Sequence, residues 1–165
     1  MKYCNGSDML LYLGEKAMGH CTTHTTTMNS ETKDRAVKPT ADKAQSSGLW
    51  KEKGVTGLSI SISGEGLIYD GETETGYAEL FKAWKSGAAI KAKCMQRGTT
   101  KKPYLQGSFI ISSLERTDPA NDDATYTVNL ENNGEPDTLD DTAFTETASS
   151  GGGVSSDTTS DSEKK

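Results

Sequence analysis

Apolar and polar side chains alternate along much of the chain, and this pattern predicts β-strands. The clearest alternation lies in residues 54–64, where Leu58, Ile60 and Ile62 fall on one face and serines fall on the other. Such a period of two indicates a sheet with one buried and one solvated face. Short apolar runs and weaker alternation predict further strands at Met9–Leu13, 16–28, 89–97, 104–116 and 124–131, and glycine turns favour a hairpin between the first two.

The segment 75–87 has the periodicity of an α-helix instead. Its large apolar side chains recur at spacings of three and four, so they share one face, which we expect to pack on the core. Thr75 or Gly76 is placed to cap the start of the helix, and Gly87 is placed to end it. The predicted core face consists of Tyr77, Leu80, Phe81 and Trp84.

Two long stretches lack the pattern of packed elements. Residues 29–53 are rich in Lys and Arg and contain few apolar side chains, which predicts a long polar loop that is either a contact arm or a solvated surface loop. After Pro136, Ser, Thr, Gly and Asp dominate, and such a segment buries too little surface to offset its ordering entropy. We therefore expect one β domain over residues 1–139 and a disordered acidic tail over 140–165.

Composition and charge narrow the class of protein. Only 32% of the 165 residues are hydrophobic, which favours a chain that carries a solvated segment and hides further surface against copies of itself. The net charge is −6, and residues 137–165 alone carry −5, from seven acids and two lysines. The remainder is nearly neutral, so it has no nucleic-acid-binding signature. No stretch approaches the ~20 apolar residues of a membrane span, and three cysteines without paired spacing favour a reducing compartment.

Groups that could support catalysis or metal binding are sparse. His20, Cys21 and His24 are close in sequence, but alternation places Cys21 opposite the two histidines, and a zinc site needs about four convergent ligands. The chain has neither a Gly-x-Ser-x-Gly elbow nor a Gly-Lys-Ser/Thr phosphate loop. The acidic pairs at 122–123 and 140–141 lie in a loop and in the tail. The sequence therefore predicts a non-enzymatic protein that has no metal or cofactor.

Two strand patterns and the order of the segments around them are informative. Residues 55–63 contain Gly-Leu-Ser-Ile-Ser-Ile-Ser, and residues 107–131 end in a strand, a loop and Thr-Tyr-x-Val. With the N-terminal hairpin, the polar arm and the lone helix, this order over residues 2–139 resembles the major tail tube proteins of long-tailed phages. It is more distantly similar to the ring-forming tube protein of type VI secretion. Some family members carry an immunoglobulin-like domain after the final strand, and the acidic Ser/Thr/Gly composition of residues 140–165 gives no support for one.

The resemblance implies a fold and an assembly. The fold is two packed antiparallel sheets, sandwich- or barrel-like, with one flanking helix. Six copies form a ring whose inner sheets join into a barrel, and stacked rings form a hollow tube through which phage DNA passes without specific binding. Tape-measure, tail-terminator and baseplate proteins are the implied partners. The implied location is the virion tail, with synthesis in the host bacterial cytoplasm.

The resemblance also assigns expected roles to particular residues. In the arm over 29–53, which would reach the neighbouring ring, the expected contact residues are Lys33, Arg35, Lys38, Trp50 and Lys51. The bore-facing candidates are Ser59, Ser61 and Ser63, or else His24 and the threonines of the predicted second strand. The alternative is a monomeric β-sandwich or barrel that binds a small ligand or carbohydrate in a pocket lined by Trp50, Trp84 or Tyr104.

Overall fold

The computed structural model of the chain describes residues 3–35, 51–69, 73–98 and 102–140. These residues form eight strands, one α-helix and one 3₁₀ turn. The strands are β1 Met9–Leu13, β2 Lys16–Ala17, β3 Cys21–Arg35, β4 Glu52–Leu67, β5 Ile90–Gln96, β6 Pro103–Thr117, β7 Thr125–Asn132 and β8 Thr138–Leu139. The helix, α1, is Tyr77–Ser86, and the 3₁₀ turn is Gly6–Asp8. The prediction of a mainly β chain with one helix is confirmed.

All eight strands belong to one antiparallel sheet. Their order is β2-β1-β5-β6-β7-β4-β3, and β8 pairs with β6. The two edge strands, β2 and β3, are consecutive in the chain and are joined only by Met18, Gly19 and His20. Such a connection spans at most about 14 Å even when fully extended. The sheet therefore curls until its edges approach each other, which gives an open, barrel-like form compatible with two packed layers.

Strand β6 takes part in both layers of the curled sheet. Its residues up to Phe109 pair with β5, whereas its residues 109–117 pair with β7. We use the name four-stranded layer for β3, β4, β7 and residues 109–117 of β6. The opposite layer consists of β2, β1, β5 and the first part of β6. The sheet thus folds back on itself along β6.

The hydrophobic core lies between these two layers. Gly64 of β4 allows their closest approach, because a Cβ added there would lie 2.8 Å from the Met18 sulfur and 3.3 Å from Cδ2 of Leu11. Buried core side chains come from β1, β4, β5, β6 and β7, from Met18 and from α1. The buried apolar residues are Leu11, Leu13, Met18, Ile60, Ile62, Leu80, Ala92, Cys94, Leu105, Phe109, Tyr126, Val128 and Leu130.

Several predicted boundaries in the N-terminal half were wrong. The strand predicted at 16–28 is two strands, because the chain turns at His20, whose φ is +46°. Strand β3 therefore lies at the opposite edge of the sheet from β1 and β2. Residues 29–35, predicted to lie in a loop, continue β3 and pair with β4 as far as Arg35 opposite Glu52. Most of their side chains are exposed on both faces, so no alternation marks them as a strand.

Helix α1 begins after Gly76 and ends at Gly87, which adopts the left-handed conformation (φ +65°) that favours glycine. Leu80 is fully buried. The prediction that Phe81 and Trp84 also pack on the core was wrong, because they are 43% and 49% exposed. The reason is that α1 contacts the sheet mainly along β6, so only a narrow stripe of the helix is covered. No helix in the described part of the chain is long and apolar enough to span a membrane.

The hydroxyl of Tyr126 stabilises the connection between the two sheet edges. It donates a buried hydrogen bond of 2.8 Å to the carbonyl oxygen of Gly19. We expect Tyr126→Phe to lower the free energy of unfolding by about 1–2 kcal/mol, since the carbonyl loses its partner. Urea unfolding followed by circular dichroism measures this loss. The control, Tyr3→Phe at a residue that is mostly exposed, should change stability by less than about 0.5 kcal/mol; equal stabilities for the two variants would contradict the assignment.

Candidate assembly surfaces

One face of the four-stranded layer is turned away from the core, and we call it the polar face. Antiparallel partners lie on the same side of a sheet, so the register fixes which residues stand beside Ser59, Ser61 and Ser63. Apart from Ile110 and Leu67, they are small polar or acidic. The face consists of Thr23, Thr25, Thr27, Asn29 and Glu31 of β3, Ser59, Ser61, Ser63, Glu65 and Leu67 of β4, Thr125, Thr127, Asn129 and Glu131 of β7, and Ile110, Ser113, Glu115 and Thr117 of β6.

The polar face is acidic. Its ionisable residues are Glu31, Glu65, Glu115 and Glu131, and where all four strands pair none of its positions is a Lys or an Arg. Past Glu31, where only β3 and β4 remain paired, Lys33 and Arg35 follow on the same side of β3. Affinity for the phosphates of nucleic acids comes mainly from Lys and Arg side chains. A surface of hydroxyls, amides and carboxylates therefore repels DNA rather than holding it.

His24 does not belong to the polar face. It pairs with Gly64. Along β4, Gly64 alternates with Ser61 and Ser63 and therefore lies on the core side of the layer, and His24 lies on the same side as its partner. His24 therefore faces away from the three serines, so these two sets of bore-facing candidates do not line the same surface. Burial lowers the pKa of its imidazole below the ordinary value, which keeps the ring neutral at pH 7.

Both edges of the four-stranded layer lack strand partners among the described residues. Strand β3 pairs only with β4. The pairing of β5 with β6 ends at Ile90 and Phe109, so residues 110–117 of β6 are paired with β7 alone. An even number of antiparallel strands makes the two free edges run in opposite directions. The β6 edge of one copy can therefore pair antiparallel with the β3 edge of another. Free edges of this length invite pairing with a further chain.

Hydrogen bonds of β4 show which residues of β3 present their backbone at the free edge. The N–H of Leu67 donates toward the β3 side, to the carbonyl of His20. The N–H of Ile60 donates toward the β7 side, to Oδ1 of Asn132. Even-numbered residues of β4 therefore turn their backbone groups away from β3, and their partners on β3 turn theirs outward. These outward-turned residues are His24, Thr26 and Met28.

At one end of the layer, β3 and β4 extend past β7 as a two-stranded ribbon, which comprises residues 28–35 and 52–60. A β-bulge at Thr56 shifts the register, so that Val55 lies on the same face as Leu58 and Ile60. The row of apolar core side chains thereby continues along the ribbon, and we call this row the apolar stripe. Its outer members are exposed, with 77% of Leu58 and 62% of Met28 accessible.

The end of the ribbon is rich in basic side chains. Lys33 and Arg35 lie on β3, and Lys51 immediately precedes β4, where its ammonium group is 3.6 Å from the carboxylate of Asp34. Both members of this pair are at least half exposed, so the pair adds little stability. Three of the predicted arm contacts therefore share one structural element. The other two, Lys38 and Trp50, lie outside the described residues.

A cleft of about 800 Å³ opens between β1 and β3 and is lined in part by Cys21, His24 and Tyr104. Burial raises the pKa of the Cys21 thiol and raises that of Tyr104 to about 12, so both groups are neutral at pH 7. In the part of the chain that the structure describes, no three His, Cys, Asp or Glu side chains are placed to hold a metal. Of the aromatic residues proposed for a binding pocket, Tyr104 lines this cleft and Trp84 does not.

Comparison with known proteins identifies the family and the fold. The chain matches the family model described as phage tail tube protein over residues 3–138. Its fold is similar to a chain in the virion of a native gene transfer agent particle, with 22% identity, a TM-score of 0.64, and coverage of 81% of this chain and 97% of that chain.

Two further structures have the same fold. For the tail of an empty gene transfer agent particle with C6 symmetry, the identity is 20%, the TM-score is 0.66, and the match covers 83% of this chain and 99% of that one. For the SPP1 tail tube, the identity is 16%, the TM-score is 0.60, and coverage is 81% and 78%. No curated protein matches the chain. Because the family model matches 136 of the 165 residues, the chain belongs to the phage tail tube protein family and is a structural component of the virion tail, not an enzyme.

Proposed function

We propose that six copies of this chain form a ring and that the rings stack into the hollow tail tube that delivers phage DNA. One observation carries the proposal: the four-stranded layer has two free, oppositely directed edges and, where all four strands pair, an outward face without Lys or Arg. The number six follows the C6 symmetry of the gene transfer agent tail that shares the fold. Within the ring, β3 of one copy lies beside residues 110–117 of β6 in the next.

The polar face lines the bore in this arrangement. Its carboxylates at Glu31, Glu65, Glu115 and Glu131 repeat around every ring, so the bore carries a negative potential. Duplex DNA is also strongly negative, and a bore without cationic groups does not release counterions from it. DNA therefore passes without binding.

The ribbon connects one ring to the next. Nine residues of β4 extend beyond its pairing with β7, and at about 3.3 Å per residue they reach roughly 30 Å. The acidic loop between β6 and β7, with Asp122 and Asp123, lies at the opposite end of the layer, because Leu67 and Thr117 both pair with Thr125 there. Basic and acidic ends favour head-to-tail stacking, which is an open, heterologous contact. Terminator and baseplate proteins would cover the last free ends, and a tape-measure protein would occupy the bore.

Reversing charge at the ribbon tests stacking separately from ring formation. At high protein concentration we expect the unaltered chain to form rings and tubes, as seen by negative-stain microscopy and sedimentation velocity. The variant Lys33→Glu/Arg35→Glu should form rings but at least about tenfold fewer tubes, since like charges now meet across the stack. The matched control is Lys82→Glu/Arg97→Glu, which reverses two exposed charges that belong neither to the ribbon nor to the aromatic side of α1, and it should still form tubes.

Two outcomes would contradict the proposal. If the unaltered chain stays a homogeneous monomer at high concentration, a monomeric binding module becomes the better account. If the ribbon variant stacks as well as the unaltered chain, the ribbon is not the contact between rings.

A further inference from the structure

We propose that the exposed aromatic side of α1 in one copy packs on the apolar stripe of the ribbon in the adjacent copy of the same ring. Trp84 and Phe81 would then contact Leu58 and Met28 across the subunit boundary. The inference rests on the proposed ring, and it assigns that ring a second contact besides the pairing of strand edges.

Among the described residues, nothing outside α1 covers its aromatic side. The rings of Phe81 and Trp84 are 6.0 Å apart, and Phe81 also stacks on Tyr77 at 6.2 Å. These contacts produce a continuous aromatic strip on a short helix. Nearly half of the surface of Phe81 and of Trp84 is accessible to solvent. Contiguous exposed apolar surface marks interaction sites, and tryptophan is among the residues that contribute most to protein interfaces.

The ribbon offers a groove that is suited to such side chains. The groove has a volume of about 560 Å³, and its apolar lining comes from both the ribbon and the segment that follows β7. Glu135 also lines it, and on α1 Lys85 directly follows Trp84, so the charges around the two surfaces are complementary. The apolar lining residues are Met28, Leu58, Ile60, Pro136 and Leu139.

The positions of the two surfaces identify the partner as an adjacent copy. Helix α1 lies at the β6 edge, where the Arg116 guanidinium is 5.5 Å from the centre of the Tyr77 ring. Met28 lies at the other free edge, on β3, and its pairing with Ile60 places it on the core side of the layer, the same side as α1. Within one subunit the width of the layer separates the two surfaces. Joining a β6 edge to a β3 edge brings them together on the side away from the bore.

Two measurements on assembled rings test the inference. Trp50 and Trp84 are the only tryptophans, so Trp50→Phe leaves Trp84 as the sole indole reporter. We expect its emission to shift to shorter wavelength on assembly and its quenching by acrylamide to fall by about half or more, because a second subunit removes it from water.

Cross-linking then identifies what covers the helix. In a Cys4→Ser background, copies with Trp84→Cys are mixed with copies with Leu58→Cys and treated with a short bifunctional maleimide. We expect a covalent dimer in the mixture but not in either variant alone. Tyr3→Cys, at another exposed aromatic residue, replaces Trp84→Cys in the control mixture and should give no dimer.

The outcomes separate this inference from the proposed function. Rings without the cross-link, or without a change in Trp84 emission, would overturn the helix contact and leave the tube proposal intact. A chain that forms no rings at all would overturn both.

Discussion

Replacing His24 by proline should abolish ring formation while the subunit stays folded. His24 turns its backbone N–H toward the free edge of β3, so proline removes a donor that the subunit itself does not use. Proline is tolerated at sheet edges for this reason. In the assembled ring, the same change removes one hydrogen bond from every boundary between copies, and each such bond contributes about 1 kcal/mol net. The proline side chain also lies between the two paired strands and separates them.

Because a closed ring contains many identical boundaries, these losses act together. We expect the protein concentration required for assembly to rise by more than about tenfold, if assembly is detectable at all. Sedimentation velocity over a concentration series measures this change, and thermal unfolding by circular dichroism checks the fold. His24→Ala is the matched control, because it removes the imidazole but keeps the N–H. Normal rings from the proline variant would show that β3 is not a pairing edge.

Introducing lysines at Ser61 and Ser63 should convert the tube from an inert channel into one that binds DNA. Both residues lie on the polar face, which carries carboxylates and no cationic group. Each ring would gain two lysines per copy, directed into the bore, and each phosphate that they neutralise releases counterions. We expect assembled Ser61→Lys/Ser63→Lys tubes to retain short double-stranded DNA at least about tenfold more strongly than unaltered tubes.

The salt dependence of retention distinguishes a charge effect from altered packing. Binding by the lysine variant should weaken steeply as salt rises, as expected for contacts with phosphates. Ser61→Gln/Ser63→Gln introduces side chains of similar length without charge, and its tubes should not retain DNA. If lysine tubes form but bind no more DNA than the glutamine tubes, the polar face does not line the bore.

Elements with a strong internal period were predictable from sequence. The alternation around Ile60 and Ile62 reveals β4, because one face of that strand is buried and the other is wet. The spacing of Tyr77, Leu80 and Trp84 reveals α1. Strand boundaries that depend on partners distant in sequence were harder to predict. Residues 29–35 are exposed on both faces and form a strand only because residues 52–59 pair with them.

The orientation of side chains was harder to predict than the elements. His24 belongs to the core side because of its pairing with Gly64, and that register depends on a bulge at the start of β3 that has no local signal. The bulge at Thr56, which returns Val55 to the apolar stripe, likewise has no local sequence signal. Trp84 has helical spacing consistent with a core position, but the part of the subunit that the structure describes leaves it about half exposed.

Reconstruction of the assembled tube by cryo-electron microscopy tests the central claim most directly. The account predicts a continuous β-barrel around the bore in which β3 of each copy runs antiparallel to residues 110–117 of β6 in the next, with Ser59, Ser61 and Ser63 facing inward. A tube whose inner wall is built from β1 and β5, or whose copies meet without pairing these two edges, would contradict it.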